Sequence, residues 1–162
     1  MILDKSTAAY ARIAQWLDKA APLADLLIRL WVAEVFWRAG MVKIQSMYST
    51  LYLFRYEYHV PLLPPEVAAY LATGIELGFP VLLALGLFTR FTAGFLFVYN
   101  IVAVISYPAL WATGFVDHKI WGIMLLATLL HGPGALSVDA LLRRWWCGSP
   151  NRPHSNKPHN AP

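Results

Sequence analysis

The chain has 162 residues, of which 58% are hydrophobic and 14% charged, with a formal net charge of +4. A soluble domain covers its surface with about a quarter charged residues, so this composition excludes an ordinary soluble globule and points to a bilayer protein of one domain. Its one cysteine, Cys147, excludes an internal disulfide and a dithiol redox motif, and so modest a positive charge reflects membrane topology rather than nucleic-acid binding.

Residues 1–22 place Tyr10, Ile13, Ala14, Leu17 and Ala21 at helical spacing, with Arg12, Gln15, Asp18 and Lys19 on the other faces. This is the pattern of an amphipathic helix lying on a membrane. No long apolar stretch follows a basic start, so the segment does not read as a cleaved signal peptide. Three apolar runs then have the length that a bilayer core of about 30 Å demands: Leu23 to Ile44, Val67 to Phe88 and Phe91 to Leu110. A fourth, Ile120 to Leu130, is short; it crosses if extended to His118 and His131, and is otherwise re-entrant or buried. The Gly-Pro-Gly at 132–134 breaks that helix, and Ser137 offers an N-cap to a short basic segment rich in Trp. The stretch from Ser149 to Pro162 lacks an apolar pattern and is expected to be disordered; its His154 and His159 read as solvated residues.

The predicted fold is therefore an all-α membrane protein: an amphipathic arm (1–22), a bundle of four transmembrane helices (23–142) and a basic, disordered tail (143–162). Eight basic residues fall on the side of the termini and three on the other, which predicts cytoplasmic termini. Pro80 interrupts the second span, where Gly74 and Gly78 form a small-xxx-small pair that permits close helix approach.

The first span carries Asp25, Arg29, Glu34, Arg38 and Lys43. Asp25 with Arg29, and Glu34 with Arg38, are acid-then-base pairs one turn apart. Asp25, Arg29 and Lys43 lie near the ends, where long side chains reach the interface. Glu34 and Arg38 lie deeper and are expected to face the interior. Glu76, near the middle of the second span, needs a partner or a proton; Arg38, Arg29, Thr73 and Asn100 are the candidates. The expected buried polar centre is thus Glu34, Arg38, Glu76 and Asn100, acting as a clamp between helices or as a proton relay or headgroup site.

The loop SMYSTLYLFRYEYHVPLLPP at 46–65 alternates aromatic and charged residues from Phe54 onward, the period of an extended segment, while a helix stays open for its earlier half. It reads as an interfacial lid or as the mouth of a quinone or small-molecule site, built from Tyr56, Tyr58 and His59, with Asp117 and His118 facing it. No phosphate loop, nucleophile elbow or zinc motif occurs, so no catalytic or metal residues are assigned and turnover by this chain alone is not expected.

The run RLWVAEVFWRAGMVKI, with Arg29, Gly40 and Lys43, resembles the first helix of DoxX-family membrane proteins. IELGFPVLLALGLFTRFTAG, with Glu76, Gly86, Thr89 and Arg90, is similar to that family's second helix. HGPGALSVDALL, with Gly132, Pro133, Gly134, Ser137 and Asp139, is similar to its closing segment. The resemblance spans about residues 23–142. It implies a four-helix bundle in the bacterial inner membrane, and a role as a small subunit or accessory of a redox or stress-response system, with quinone as the cofactor class. It leaves open two alternatives: an accessory handling a metal-binding peptide or metal stress, and a scaffold docking a soluble redox or peptide-modifying enzyme. The loop LYLFRYEYHVPLLPP looks closer to members encoded beside enzymes that modify copper-binding peptides.

Overall fold

The computed structural model describes residues 2–147, with side chains from residue 10 to residue 146. The tail from Ser149, including His154 and His159, and the Cys147 side chain lie outside the described residues. Among the described residues every regular element is helical: α1 (Ile2–Gln45), α2 (Met47–Tyr56), α3 (Pro65–Leu85), α4 (Thr89–Ser106), α5 (Ala109–Ala112), α6 (Val116–His131) and α7 (Val138–Cys147). α3 and α4 are long and apolar enough to cross a membrane. α1 runs unbroken through the expected arm and first span, with Pro22 inside it. α6 begins at Val116, so its 16 residues include both His118 and His131.

The boundaries follow local chemistry. Pro65 opens α3 at its first position, where a missing N–H costs nothing, and Glu66 adds a negative charge to the first turn. The helix stops at Gly86 in the left-handed conformation (φ +68°), with Gly86 N–H on Leu83 C=O at 3.1 Å and Leu87 N–H on Leu82 C=O at 2.9 Å. Ser46 caps α2 through Ser49 N–H.

The loop after the first span departs from the extended reading. It is helical to Tyr56, because a helix satisfies its backbone groups internally whereas an extended segment here has no strand to pair with. Phe54 is consequently buried on Ala68, Ala69 and Ala72 of α3, whose small side chains let α2 lie close.

α1 packs on α3, α3 on α4, α4 on α6 and α6 back on α1. Val32, Ala33, Phe36, Leu83, Ala93, Leu96 and Leu125 fill the centre. Close approach comes at Gly40 rather than at Gly74 and Gly78: a Cβ on Gly40 would stand 3.0 Å from the Glu76 backbone, whereas Gly74 and Gly78 face open space. Buried Thr73 and Thr128 donate to the carbonyls of Ala69 and Met124 one turn back, so no polar side chain is stranded there.

The end carrying α7 is locked by polar contacts. Arg29 is 1% exposed and donates to Leu83 C=O and Leu136 C=O. It does not snorkel to an interface; Gly86 gives it room, since a Cβ there would collide with its guanidinium and with Ser137. Asp139 accepts from Phe88 N–H (2.9 Å), Thr89 N–H (2.8 Å) and the Thr89 hydroxyl (2.8 Å), capping α4 from another helix. Ser137 caps α7 through Ala140 N–H at 3.1 Å.

Candidate functional site

Lys43 belongs to the buried stripe of α1 that runs Arg29, Val32, Ala33, Phe36 and Gly40 at spacings of three and four. The tight crossing at Gly40 brings its Nζ to 2.6 Å from Glu76 Oε2 on α3. The Tyr99 hydroxyl on α4 donates to the other carboxylate oxygen at 2.7 Å. Both Glu76 oxygens are therefore occupied, by an ammonium on one side and a phenol on the other, with the Glu76 side chain 7% exposed. Three helices meet in this charge-assisted cluster.

The cluster forms one wall of a cavity of about 520 Å³ beneath α2. The rest of the lining is largely apolar and aromatic, including Phe36, Phe54, Tyr107 and Trp121. Phe36 meets Tyr99 and Trp121 with ring centres 6.1 Å and 6.3 Å apart. Ser106, at the end of α4, also lines the space, and its hydroxyl is buried without a hydrogen-bond partner. An orphaned hydroxyl in an apolar cavity is unspent donor capacity. Leu71 on α3 and Val98 on α4 both line the cavity and are exposed, so it borders the seam between those helices. A wider cleft of about 1440 Å³ lies at the opposite end, beside exposed Arg90, Arg143 and Arg144.

The DoxX family model matches residues 24–109, more than half of the chain. The chain belongs to the DoxX family. An uncharacterized protein of Haemophilus influenzae is 30% identical over 126 residues, which cover 74% of this chain and 83% of that protein. No solved structure matches. The family match takes in Lys43, Glu76 and Tyr99 and ends before α6.

In this DoxX-family chain the expected polar centre is not brought together as a unit. Glu34 and Arg38 pair with each other at 2.5 Å on the outer face of α1, their side chains 56% and 76% exposed. They stand opposite the stripe that packs on α3, so neither reaches Glu76. Asn100 is buried, but it serves His118: its amide donates to His118 C=O at 2.9 Å, and its Oδ1 lies 2.8 Å from His118 Nδ1. His118 in turn packs edge-on against Trp121.

Of the expected mouth residues, Tyr58 and His118 line the cavity. Tyr58 stands between Phe54 and Tyr107, at 4.8 Å and 4.7 Å between ring centres. Burial, and then the neighbouring Tyr107, Glu76 and Glu57, push its phenol above the ordinary value, so it stays a neutral donor. Tyr56 packs outside against Tyr52 with the rings tilted, His59 turns to Glu57 C=O, and Asp117 is exposed. None of these three lines the cavity.

Sequence reasoning did not assign Lys43, Tyr99, Ser106, Tyr107 or Trp121 to the site. Lys43 carried a signal, the Gly40-x-x-Lys43 spacing, which places an ammonium one turn beyond a close helix crossing. Tyr99 carried a weaker one, its position next to a buried Asn100.

Proposed function

We propose that this chain is a small integral subunit of a bacterial inner-membrane redox or stress-response system. In this reading it crosses the bilayer four times with cytoplasmic termini and binds a lipid-soluble planar ligand of the quinone class. The Lys43–Glu76–Tyr99 cluster in the wall of an otherwise apolar cavity carries the reading. Such a lining, apolar with a few convergent polar groups, is what small-molecule sites have in common. Four crossings are supported by the closed ring of α1, α3, α4 and α6, and by α1 turning Arg29 and Lys43 inward onto partners.

The residues fit a quinone headgroup. Its two ring carbonyls need donors, and Lys43, Tyr58 and the unpartnered Ser106 hydroxyl are donors lining one space. When bound, a quinone would supply two-electron, two-proton redox chemistry. The chain's own contribution is to exclude water, orient the ring among Phe36, Tyr107 and Trp121, and hold a proton-accepting carboxylate at Glu76. The seam between α3 and α4 offers entry from lipid.

The test is extraction of the protein purified in mild detergent, followed by binding of a short-tailed benzoquinone to the chain in nanodiscs. Copurified quinone is expected, with affinity at least tenfold weaker in E76Q and abolished in A103F, which fills the cavity from α4. No copurified quinone, together with equal binding by wild type and A103F, rejects the reading.

A further inference from the structure

The Glu34–Arg38 pair is the group that the site does not use. Glu34 lies nine residues from Asp25 and eleven from Gln45, so it stands about 14 Å and 16 Å from those ends of the span at 1.5 Å per residue. Arg38 lies seven residues, about 10 Å, from Gln45, still beyond the length of its side chain. Ionisable side chains at such depth face a bundle interior or an aqueous cavity, yet these two are 56% and 76% exposed. Around them Leu27, Leu30, Trp37, Met41 and Ile44 are exposed too. Lipid accepts those apolar side chains without penalty, but it does not accept the ion pair.

With Glu34, these residues recur at 27, 30, 34, 37, 41 and 44, alternating three and four apart, the spacing of a two-helix seam with one polar seam position. A single polar residue in a seam fixes register at a cost in stability. We infer that this face of α1 is the interface with a second copy of this chain. Two copies inserted in the same sense are related by a two-fold axis along the membrane normal, which sets α1 beside α1 in parallel. Glu34 of each copy then lies about 6 Å along the axis from Arg38 of the other. That offset is close to the one bridged by flanking charges in parallel coiled coils. Two carboxylates and two guanidiniums close into a neutral ring out of lipid, each charge with an intrahelical and an intermolecular partner. Complementarity to itself is what singles out a second copy: an apolar partner helix would leave the pair as poorly solvated as lipid does.

The inference rests on the proposed crossing of α1 and is independent of the ligand. The full chain is reconstituted in phosphatidylethanolamine–phosphatidylglycerol vesicles and counted by single-molecule photobleaching. Wild type is expected as dimers. E34K copies carry two positive charges on the face and R38E copies two negative; each is expected to lose dimers at least tenfold alone and to recover them when the two are mixed. A second measurement leaves the pair intact: in a C147S background, M41C is expected to crosslink between copies, and I123C, exposed on α6, is not. Monomeric wild type, M41C crosslinking no better than I123C, or a mixture no more paired than its components overturns the inference. So does crosslinking of M41C to a different protein when the same variant is treated in native membranes. Labelling of E34C by a membrane-impermeant maleimide would overturn the membrane placement as well, whereas protection from it alongside monomeric wild type overturns the interface alone.

Discussion

Removing Lys43 should harm the protein more than removing the charge of Glu76, because the two partners have unequal escape routes. Lys43→Met leaves a carboxylate on a side chain that is 7% exposed, with Tyr99 as its remaining donor. Breaking a buried pair by deleting one partner costs about 3–5 kcal/mol, since the other charge stays desolvated. Glu76→Gln keeps an amide oxygen for Tyr99 and leaves the ammonium on a flexible stem that is 18% exposed. The lysine can turn toward solvent, so the loss is nearer that of one hydrogen bond to a charged group, about 1.5–3 kcal/mol. Lys43→Met with Glu76→Gln strands no charge and should recover most of the K43M loss.

Thermal unfolding in one detergent reads this directly. At about 2–4 °C per kcal/mol for a chain of this size, K43M should melt roughly 10 °C below wild type, with E76Q and the double variant both closer to it. Equal losses in K43M and E76Q, or losses that add in the double variant, would mean that the two side chains do not face each other, and the site would dissolve with them.

Asp139 gives a pH signature. Burial raises its carboxyl, but hydrogen bonds from Thr89 and Phe88 and the Arg143 charge outweigh it, so the folded value lies below the ordinary 3.8. A depressed carboxyl contributes stability above its unfolded value and loses it as pH falls through the folded one. Melting midpoints should therefore drop as pH falls below about 4, and D139N should flatten that part of the profile; an unchanged profile refutes the capping role. Gly40→Ala pushes a methyl to 3.0 Å from the Glu76 backbone, an overpacking of about 1–3 kcal/mol, and double-spin distances should show α1 displaced from α3. Arg29→Lys keeps the charge but loses the planar fork that serves Leu83 and Leu136; faster amide exchange over 132–137 is the expected readout, and unaltered exchange counts against the lock.

Some helix ends were legible, because punctuation is local: the Gly-Pro-Gly at 132–134 ends α6 as expected, whereas the second span was expected to run to Phe88 and stops before Gly86, and α1 does not break between the expected arm and first span. Which way α1 faces was not legible. In water the apolar stripe of a helix marks its inner face, but in a membrane lipid and core are both apolar, so period alone does not separate inside from outside. The assumption that the deepest charges turn inward filled that gap and placed Glu34 and Arg38 at Glu76. Volume was the better guide: Ala33 and Gly40 mark the face where α3 approaches, and Lys43 shares it. The loop misled for a related reason. Alternation at Phe54–Tyr58 looks like a strand, yet the chain keeps turning past the end of α2, with Tyr58 N–H on Leu53 C=O at 2.9 Å, so Phe54 and Tyr58 meet at 4.8 Å.

The residues that carry the DoxX resemblance divide by depth into two sets with different physics. Arg29, Gly86, Thr89, Ser137 and Asp139 gather where α7 folds back, and apart from the Thr89 hydroxyl on Asp139 their bonds are to backbone groups: carbonyls of Leu83 and Leu136, amides of Phe88, Thr89 and Ala140. Backbone partners are indifferent to what the side chains nearby do, so this set can only hold the helices in register. Gly40, Lys43 and Glu76 lie toward the other end, where Lys43 and Glu76 bond side chain to side chain against a cavity that contains an unpartnered hydroxyl. Groups arranged this way can exchange a partner for a ligand at little cost. Substitutions in the first set should thus lower melting temperature while leaving ligand affinity alone in whatever protein still folds. Ser106→Ala, beside the second set, removes a hydroxyl that has no partner and should do the reverse. A variant of the first set that stays folded yet loses the ligand would join the two ends mechanically, and this division would then have to be abandoned.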